Sequence, residues 1–214
     1  MEKPDLNLAA ICRRTQALGP GIRAAVWVQG CPFRCKGCIS PEWVPLRAAW
    51  KIQPALLAEE LLREPELDGL TISGGEPVLQ ASALAELVIQ VKAWRDVDVI
   101  MFTGYYYENL LAFPEHSPVR RLLQLVDVLI DGPYDEKKND NRGMRGSSNQ
   151  RVLHLTDRLK AYDFQNQPRQ TEIHLSDGEM LFVGVPPKGV IPGVTGAIPG
   201  RIGASPREGH YEWT

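Results

Sequence analysis

Four short apolar runs, separated by segments of helical spacing, constrain what this chain can fold into more than any other feature. Arg23–Gln29 (RAAVWVQ), Asp68–Ser73 (DGLTIS), Val97–Phe102 (VDVIMF) and Val126–Asp131 (VDVLID) have the length and β-branched content of buried strands. Three segments with helical periodicity alternate with them. Pro54–Glu64 places Pro54 in a first turn and Leu57, Leu61 and Leu62 on one face; Leu79–Trp94 repeats Leu79, Ala83, Leu87 and Val91; Val119–Leu125 is shorter. Alternation of this kind predicts an α/β fold built from βα units around a mostly parallel sheet. Right-handed crossovers then gather the C-terminal strand ends at one rim. Four segments follow those ends: the loop after Gln29, Gly74–Pro77, Thr103–Tyr105 and Asp131–Tyr134. One active-site mouth assembled from four distant pieces of sequence is the expectation.

The first of these pieces carries the chemistry. Cys31, Cys35 and Cys38 stand in VWVQGCPFRCKGC with the spacing C-x3-C-x2-C. Three close thiolates can hold three corners of a [4Fe-4S] cube, and without a fourth cysteine at that spacing one iron stays open to a substrate. A structural zinc site completed by Cys12 or a histidine is the alternative, although zinc favours paired C-x2-C knuckles. Gly30, Pro32 and Gly37 let the backbone wrap tightly and aim N–H groups at sulfur. Cys12 itself reads as a small buried residue.

Composition bounds the setting. The chain has 214 residues, 43% of them hydrophobic and 23% charged, with a formal net charge of -2. That suits a single soluble core with an appendage and not a strongly basic nucleic-acid footprint. No apolar run reaches the length of a membrane span, and the N-terminal residues lack a signal-peptide pattern, so a cytoplasmic location is expected. There, clustered cysteines point to metal or redox chemistry. Beyond about residue 132 the pattern changes. Asp135–Gln150 is polar; Thr171–Ser176 and Glu179–Val185 flank Asp177-Gly178, a hairpin signal; glycine and proline dominate from Pro186 onward. The expected division is a core over 1–164 and a C-terminal extension over 165–214.

Gly74-Gly75-Glu76-Pro77 after a strand is by itself only a turn, but beside the cysteine loop it permits close backbone approach to a ligand. Its edge can offer N–H and C=O groups to an ammonium, and Glu76 can add charge or orient a neighbour. Arg145–Gln150 (RGSSNQ) alone is a solvated polar loop. Trp27 and Trp94 read as core; Trp43 and Trp50 read as core or interface. The four histidines are scattered, and no acid/base pair stands out.

Taken together, VQGCPFRCKGC and SGGEP resemble the radical S-adenosylmethionine (radical SAM) superfamily. GPGIRAAVWVQGC, CISPEW, FTGY, VLIDGPY and RGSSNQR narrow the resemblance to the activating enzymes of anaerobic ribonucleotide reductase and other glycyl-radical enzymes. It covers roughly Leu18–Arg151. The resemblance implies a partial (β/α) barrel, one [4Fe-4S] cluster on Cys31, Cys35 and Cys38, and SAM as co-substrate. Gly74, Gly75 and Glu76 would hold the methionyl ammonium, with Pro77 shaping the turn. Thr103 and Gly104 would lie beside the SAM ribose or methionine, and Asp131 matches an acidic position near SAM. Arg145 and Asn149 become candidates for holding the loop over the site or meeting the partner. The chain departs from the pattern at Phe102, where some activases have an acid, at Pro133, where a lysine often follows, and at Gly37, where many members have an aromatic residue.

The implied activity is reductive cleavage of SAM by an oxidoreductase drawing on an external donor such as a flavodoxin. The resulting 5′-deoxyadenosyl radical would activate a glycyl-radical enzyme. A stand-alone radical SAM enzyme acting on a small molecule, a peptide or RNA is the alternative, since the hairpin and tail exceed a minimal activase. A zinc-stabilised interaction module is the remote one.

Overall fold

The structure, a computed structural model, describes residues 4–176 and 179–188. In chain order its elements are strands β1 (Leu6–Thr15), β2 (Arg23–Val28) and β3 (Trp50–Ile52), helix α1 (Pro54–Leu61), β4 (Gly69–Gly74), α2 (Ala81–Trp94), β5 (Asp98–Thr103), α3 (Tyr107–Leu111), α4 (Pro118–Leu123), β6 (Val128–Asp131), β7 (Arg151–His154), β8 (Thr171–Ser176) and β9 (Glu179–Gly184).

Seven strands form one sheet in the order β3-β1-β2-β4-β5-β6-β7. The four central strands, β2, β4, β5 and β6, run parallel, and the flanking β1, β3 and β7 run antiparallel to their neighbours. β3 and β7 are the two ends of an open order, so the described strands make a mixed α/β sheet and no closed barrel. The four parallel strands are those expected from sequence, for a physical reason: they are buried on both faces and so read as nearly continuous apolar runs. β1, β3, β7 and α3 were not expected.

Each face of the sheet has its own core. Ala24, Val26 and Val28 of β2, Leu70 and Ile72 of β4, Val99 and Met101 of β5 and Leu129 of β6 pack beneath α1, α2 and α4. The alternate residues point the other way. Ala25 and Trp27 meet Cys12, Leu18, Trp43 and Val183. Ile100, Val128 and Ile130 meet Met144, Leu159 and Phe164. The period of two along each strand thus divides helix cover from a second, loop-covered face.

The hairpin of β8 and β9 is antiparallel, as expected, with its Asp177-Gly178 turn outside the described residues. It docks on β1 and β2 through Val183, which is fully buried, and through Leu181. Glu172 accepts from the Gln16 N–H at 2.8 Å and contacts His174 Nε2 at 2.9 Å; the His174 ring lies 3.9 Å from Cys12 Sγ. The Gly/Pro-rich stretch from residue 189 lies outside the described residues. Trp94 corrects an expectation. It is 81% exposed, because α2 ends there and no element extends past it to pack on. No helix among the described residues is long and apolar enough to cross a membrane.

Candidate active site

The C-terminal ends of the four parallel strands open into one cavity of about 580 Å³. Its lining includes Cys31, Cys35 and Cys38, then Ser73–Glu76, Phe102–Gly104 and Gly132–Tyr134. The four segments expected to share a rim therefore do so.

The cysteine loop is closed at its base. Gly30 N–H donates to the Trp43 carbonyl at 2.8 Å and Cys31 N–H to the Val44 carbonyl at 2.9 Å, so the chain leaves β2 and returns beside itself. Trp27 and Trp43 pack with ring centroids 5.9 Å apart beneath the return. Inside the loop, Cys38 N–H donates to the Cys35 carbonyl at 3.2 Å. All three cysteines are free and half-buried. Burial pushes the Cys31 thiol up to about 11 and raises Cys38 as well, with backbone donors at Phe33 and Ser40 opposing. The raised Cys31 and Cys38 thiols favour their protonated form, so ligation there would release protons. Among the described residues no group of three or more His, Cys, Asp or Glu side chains converges on a point that a single ion could occupy. Cys12, weighed above as a fourth zinc ligand, is on β1 against His174 and does not line the cavity.

The turn after β4 is fastened to this loop. Gly75 N–H donates to the Val28 carbonyl at 2.7 Å, and Glu76 N–H to the Gly30 carbonyl at 2.8 Å. Gly74 has φ of 105°, a left-handed conformation that glycine adopts without strain. Glu76 is buried, with both carboxylate oxygens engaged by the protein. Oε1 accepts from the Val78 N–H at 3.0 Å and from the Thr103 hydroxyl at 2.8 Å; Oε2 accepts from the Gly104 N–H at 2.8 Å. Burial pushes its carboxyl up from the ordinary range, and these three donors pull it back. Glu76 is thus a brace between the β4 and β5 loops. Pro77 opens a 3-10 turn beneath it and, although buried, is not in the lining. Gly104 leaves room for Phe33, whose ring a Cβ at 104 would meet at 2.6 Å. Phe33 packs edge-on against Tyr105 with centroids 4.9 Å apart.

Asp131 lies at the end of β6, fully buried, behind the lining. It is ion-paired to Arg151, its register partner on β7, and accepts from the Tyr107 N–H at 2.8 Å. Arg151 also reaches Glu108 at 2.7 Å and stacks 5.4 Å over Tyr106. Both neighbours of this pair on the rim, Gly132 and Pro133, are held by the polar loop. Gln150 donates to the Gly132 carbonyl and Asn149 to the Pro133 carbonyl, each at 2.8 Å. Arg145 turns away from the cavity to Asp140 at 2.8 Å and to the Ser148 carbonyl at 3.2 Å. Gln150, Arg151 and Arg169 carry positions that sequence reasoning passed over. Arg151 opens β7, an edge strand of only four residues that offers no clean apolar period.

Comparison with known proteins accords with this arrangement. A family described as 4Fe-4S single cluster domain matches residues 17–153. The anaerobic ribonucleoside-triphosphate reductase-activating protein of Enterobacteria phage T4 is 31% identical over 156 residues, covering 68% of this chain and 92% of its own. The proteins of the same name from Vibrio cholerae and Escherichia coli K12 are 33% and 29% identical, each covering 64% of this chain and 89% and 91% of their own. The chain belongs to the 4Fe-4S single cluster domain family, as an iron–sulfur enzyme of activating-protein type.

Proposed function

We propose that this enzyme cleaves SAM reductively and delivers the resulting radical to a glycyl-radical enzyme, with an anaerobic ribonucleoside-triphosphate reductase as the partner. One observation carries the reading: the cysteine loop and the Gly-Gly-Glu turn are bonded backbone to backbone and face one cavity. The donor set fits a cluster. Three free thiols share one wall, while the remaining cysteine sits apart. Cys31, Cys35 and Cys38 would hold a [4Fe-4S] cluster as thiolates. Bound there, the cluster supplies one electron for breaking a carbon–sulfur bond of SAM, giving methionine and a 5′-deoxyadenosyl radical.

The chain's own residues position and shield. Gly74 and Gly75 present bare backbone at the cavity, where the methionyl ammonium can meet carbonyl oxygens. Glu76 adds buried negative potential toward that ammonium and holds Thr103 and Gly104 in place beside the ribose or methionine. Phe33 gives the cavity apolar surface, backed edge-on by Tyr105, and would limit water at the bound SAM. Asp131 acts through Arg151, fixing the Gly132–Tyr134 rim instead of touching SAM. No side chain is required as a general acid or base. The fold would be a partial barrel of the radical SAM type, with a core over 1–164 and an extension over 165–214. A flavodoxin-like donor and a cytoplasmic location complete the reading.

The test is anaerobic purification, reconstitution with iron and sulfide, reduction and assay of 5′-deoxyadenosine from SAM. Product that depends on cluster and reductant supports the reading. Zinc without iron–sulfur absorption would return the chain to the structural-metal class. A second reading, a stand-alone radical SAM enzyme, is favoured by one feature: residues beyond the family match also line the cavity. Product formed on a small molecule with no partner protein present would select it.

A further inference from the structure

The family match ends at Leu153, yet the cavity does not. Arg169, Leu181, Phe182 and Gly184–Lys188 line it as well. Two-thirds of this chain covers about nine-tenths of the relatives' length, and this wall lies beyond the residues that the family model matches.

One residue holds the wall in place. Arg169 donates to Asn139 Oδ1 at 2.9 Å, to the Arg145 carbonyl at 2.7 Å and to the Gly146 carbonyl at 3.1 Å. Its Nη1 also reaches the Pro186 carbonyl at 3.3 Å. All of these acceptors are neutral, so the guanidinium works as a rigid multi-point fork and not as half of an ion pair. It ties the polar loop, which holds the Gly132–Tyr134 rim, to the strand leaving the hairpin. Asn141, held at φ of 61°, reinforces the tie by accepting from the Lys188 N–H at 2.8 Å.

The wall's chemistry is selective. Phe182, Val185 and Pro187 give apolar surface, and Pro186 and Pro187 have no N–H. A polypeptide entering here cannot add as a paired strand along that stretch; it must fit by shape. A loop poor in side chains, such as one presenting a glycine, fits a slot of this kind.

We propose that the wall formed by Arg169, Leu181, Phe182 and Gly184–Lys188 selects the partner's glycine-bearing loop, and that Arg169 is the residue that positions the wall. This rests on the activase reading above. The experiment uses the full chain, with a purified anaerobic ribonucleoside-triphosphate reductase as probe. Partner affinity is measured on the metal-free protein; SAM cleavage without partner and glycyl-radical yield are measured after reconstitution. Arg169→Met, which also loosens the loop behind the Gly132–Tyr134 rim, is expected to weaken partner binding and radical yield about tenfold or more, the scale of a misplaced contact, and to lower partner-free SAM cleavage by a clearly smaller factor. Arg169→Lys should restore part of the affinity. Val185→Trp, in the wall but not itself an Arg169 acceptor, should weaken partner binding and radical yield by a similar factor while leaving partner-free SAM cleavage within about twofold, and serves if Arg169→Met does not fold. Equal loss of SAM cleavage and partner binding, or no change in either, overturns the proposal. A wild-type protein that neither cleaves SAM nor binds the reductase sinks the activase reading, and this proposal with it. One that cleaves SAM but ignores the reductase overturns the partner assignment and the wall's role with it; wall variants that bind the reductase as wild type does overturn the wall's role alone.

Discussion

The carbonyl of Gly30 lies where a side chain on Gly75 would begin: a Cβ at Gly75 would stand 2.2 Å from that oxygen. The same oxygen accepts the Glu76 N–H at 2.8 Å. A loop that starts after β2 and a turn that follows β4 are therefore in backbone contact, and the second glycine of the pair is required by space. Nothing of comparable closeness would be needed if the glycines served only to turn the chain.

Gly75→Ala should separate the two loops. A methyl group cannot fit against a backbone carbonyl that is itself bonded, so the turn must move. Overpacking of this kind costs about 1–3 kcal/mol. Thermal unfolding should show that loss, iron content after reconstitution should persist, and SAM binding should weaken by about tenfold. SAM affinity equal to wild type would show that the close approach does not shape the ligand site.

At the opposite end of the sheet, Gly69 makes room for Arg23. A Cβ there would meet Arg23 Nη1 at 2.2 Å. Arg23 is fully buried, donates to Thr71 Oγ1 at 2.8 Å and to the Leu70 carbonyl at 3.0 Å, and pairs with Asp98 at 2.6 Å. Burial lowers the Arg23 pKa and raises that of Asp98, so the pair is held against desolvation. Gly69→Ala is expected to destabilise by about 3 kcal/mol or more, since displacing Arg23 strands a buried carboxylate. In an Arg23→Met background, where Asp98 is already stranded and the clash is gone, Gly69→Ala should cost much less. A denaturant double-mutant cycle with no coupling between 23 and 69 would refute the account.

How much of this was legible in the sequence depended on burial. β2, β4, β5 and β6 are buried on both faces and announced themselves as apolar runs. β1 carries Arg13 and Arg14 within ten residues, and β7 is four half-exposed residues, so neither offered a clean period. Leu79 was expected on the helix face with Leu87 but is 47% exposed. Pro77–Gln80 winds as a 3-10 turn, whose tighter rotation carries Leu79 off that face. The cysteines and the Gly-Gly-Glu turn were legible because their chemistry needs particular residue types. The bonds from Glu76 to Thr103 and Gly104 and those of the Arg169 fork were not, because they join residues 17 to 30 apart in the chain, which no local pattern encodes.

Glu108 should contribute acid sensitivity. Its carboxyl is pushed down to about 2 by the hydrogen bonds from Arg151. A carboxyl with a folded pKa below its ordinary 4.5 stabilises the fold above that value and loses the contribution as pH falls from 4.5 toward 2. The group is exposed, so solvent and salt weaken the effect. The melting temperature of wild type should exceed that of Glu108→Gln at pH 6, and the gap should narrow steadily from pH 4.5 to 3.5. A gap that is constant with pH would mean that the ion pair is not its source.

The cysteines should divide cleanly by place. Cys35→Ala removes one of three thiols on the cavity wall, and two thiolates do not hold a cube that needs three. Reconstituted iron and sulfide should fall to background, with SAM cleavage lost in parallel. Cys12→Ala removes a thiol that burial holds near 11, on β1 under the hairpin. Losing a buried sulfur there leaves a small cavity and costs about 1 kcal/mol, while iron content and SAM cleavage stay at wild-type levels. Iron analysis with the absorption spectrum of the reconstituted proteins decides the matter. If Cys12→Ala also loses iron, the metal is held by a four-sulfur set drawn from both places, and the cavity wall is not the cluster site. If Cys35→Ala keeps a full complement of iron and cleaves SAM, the ligands are not the cysteines of the loop.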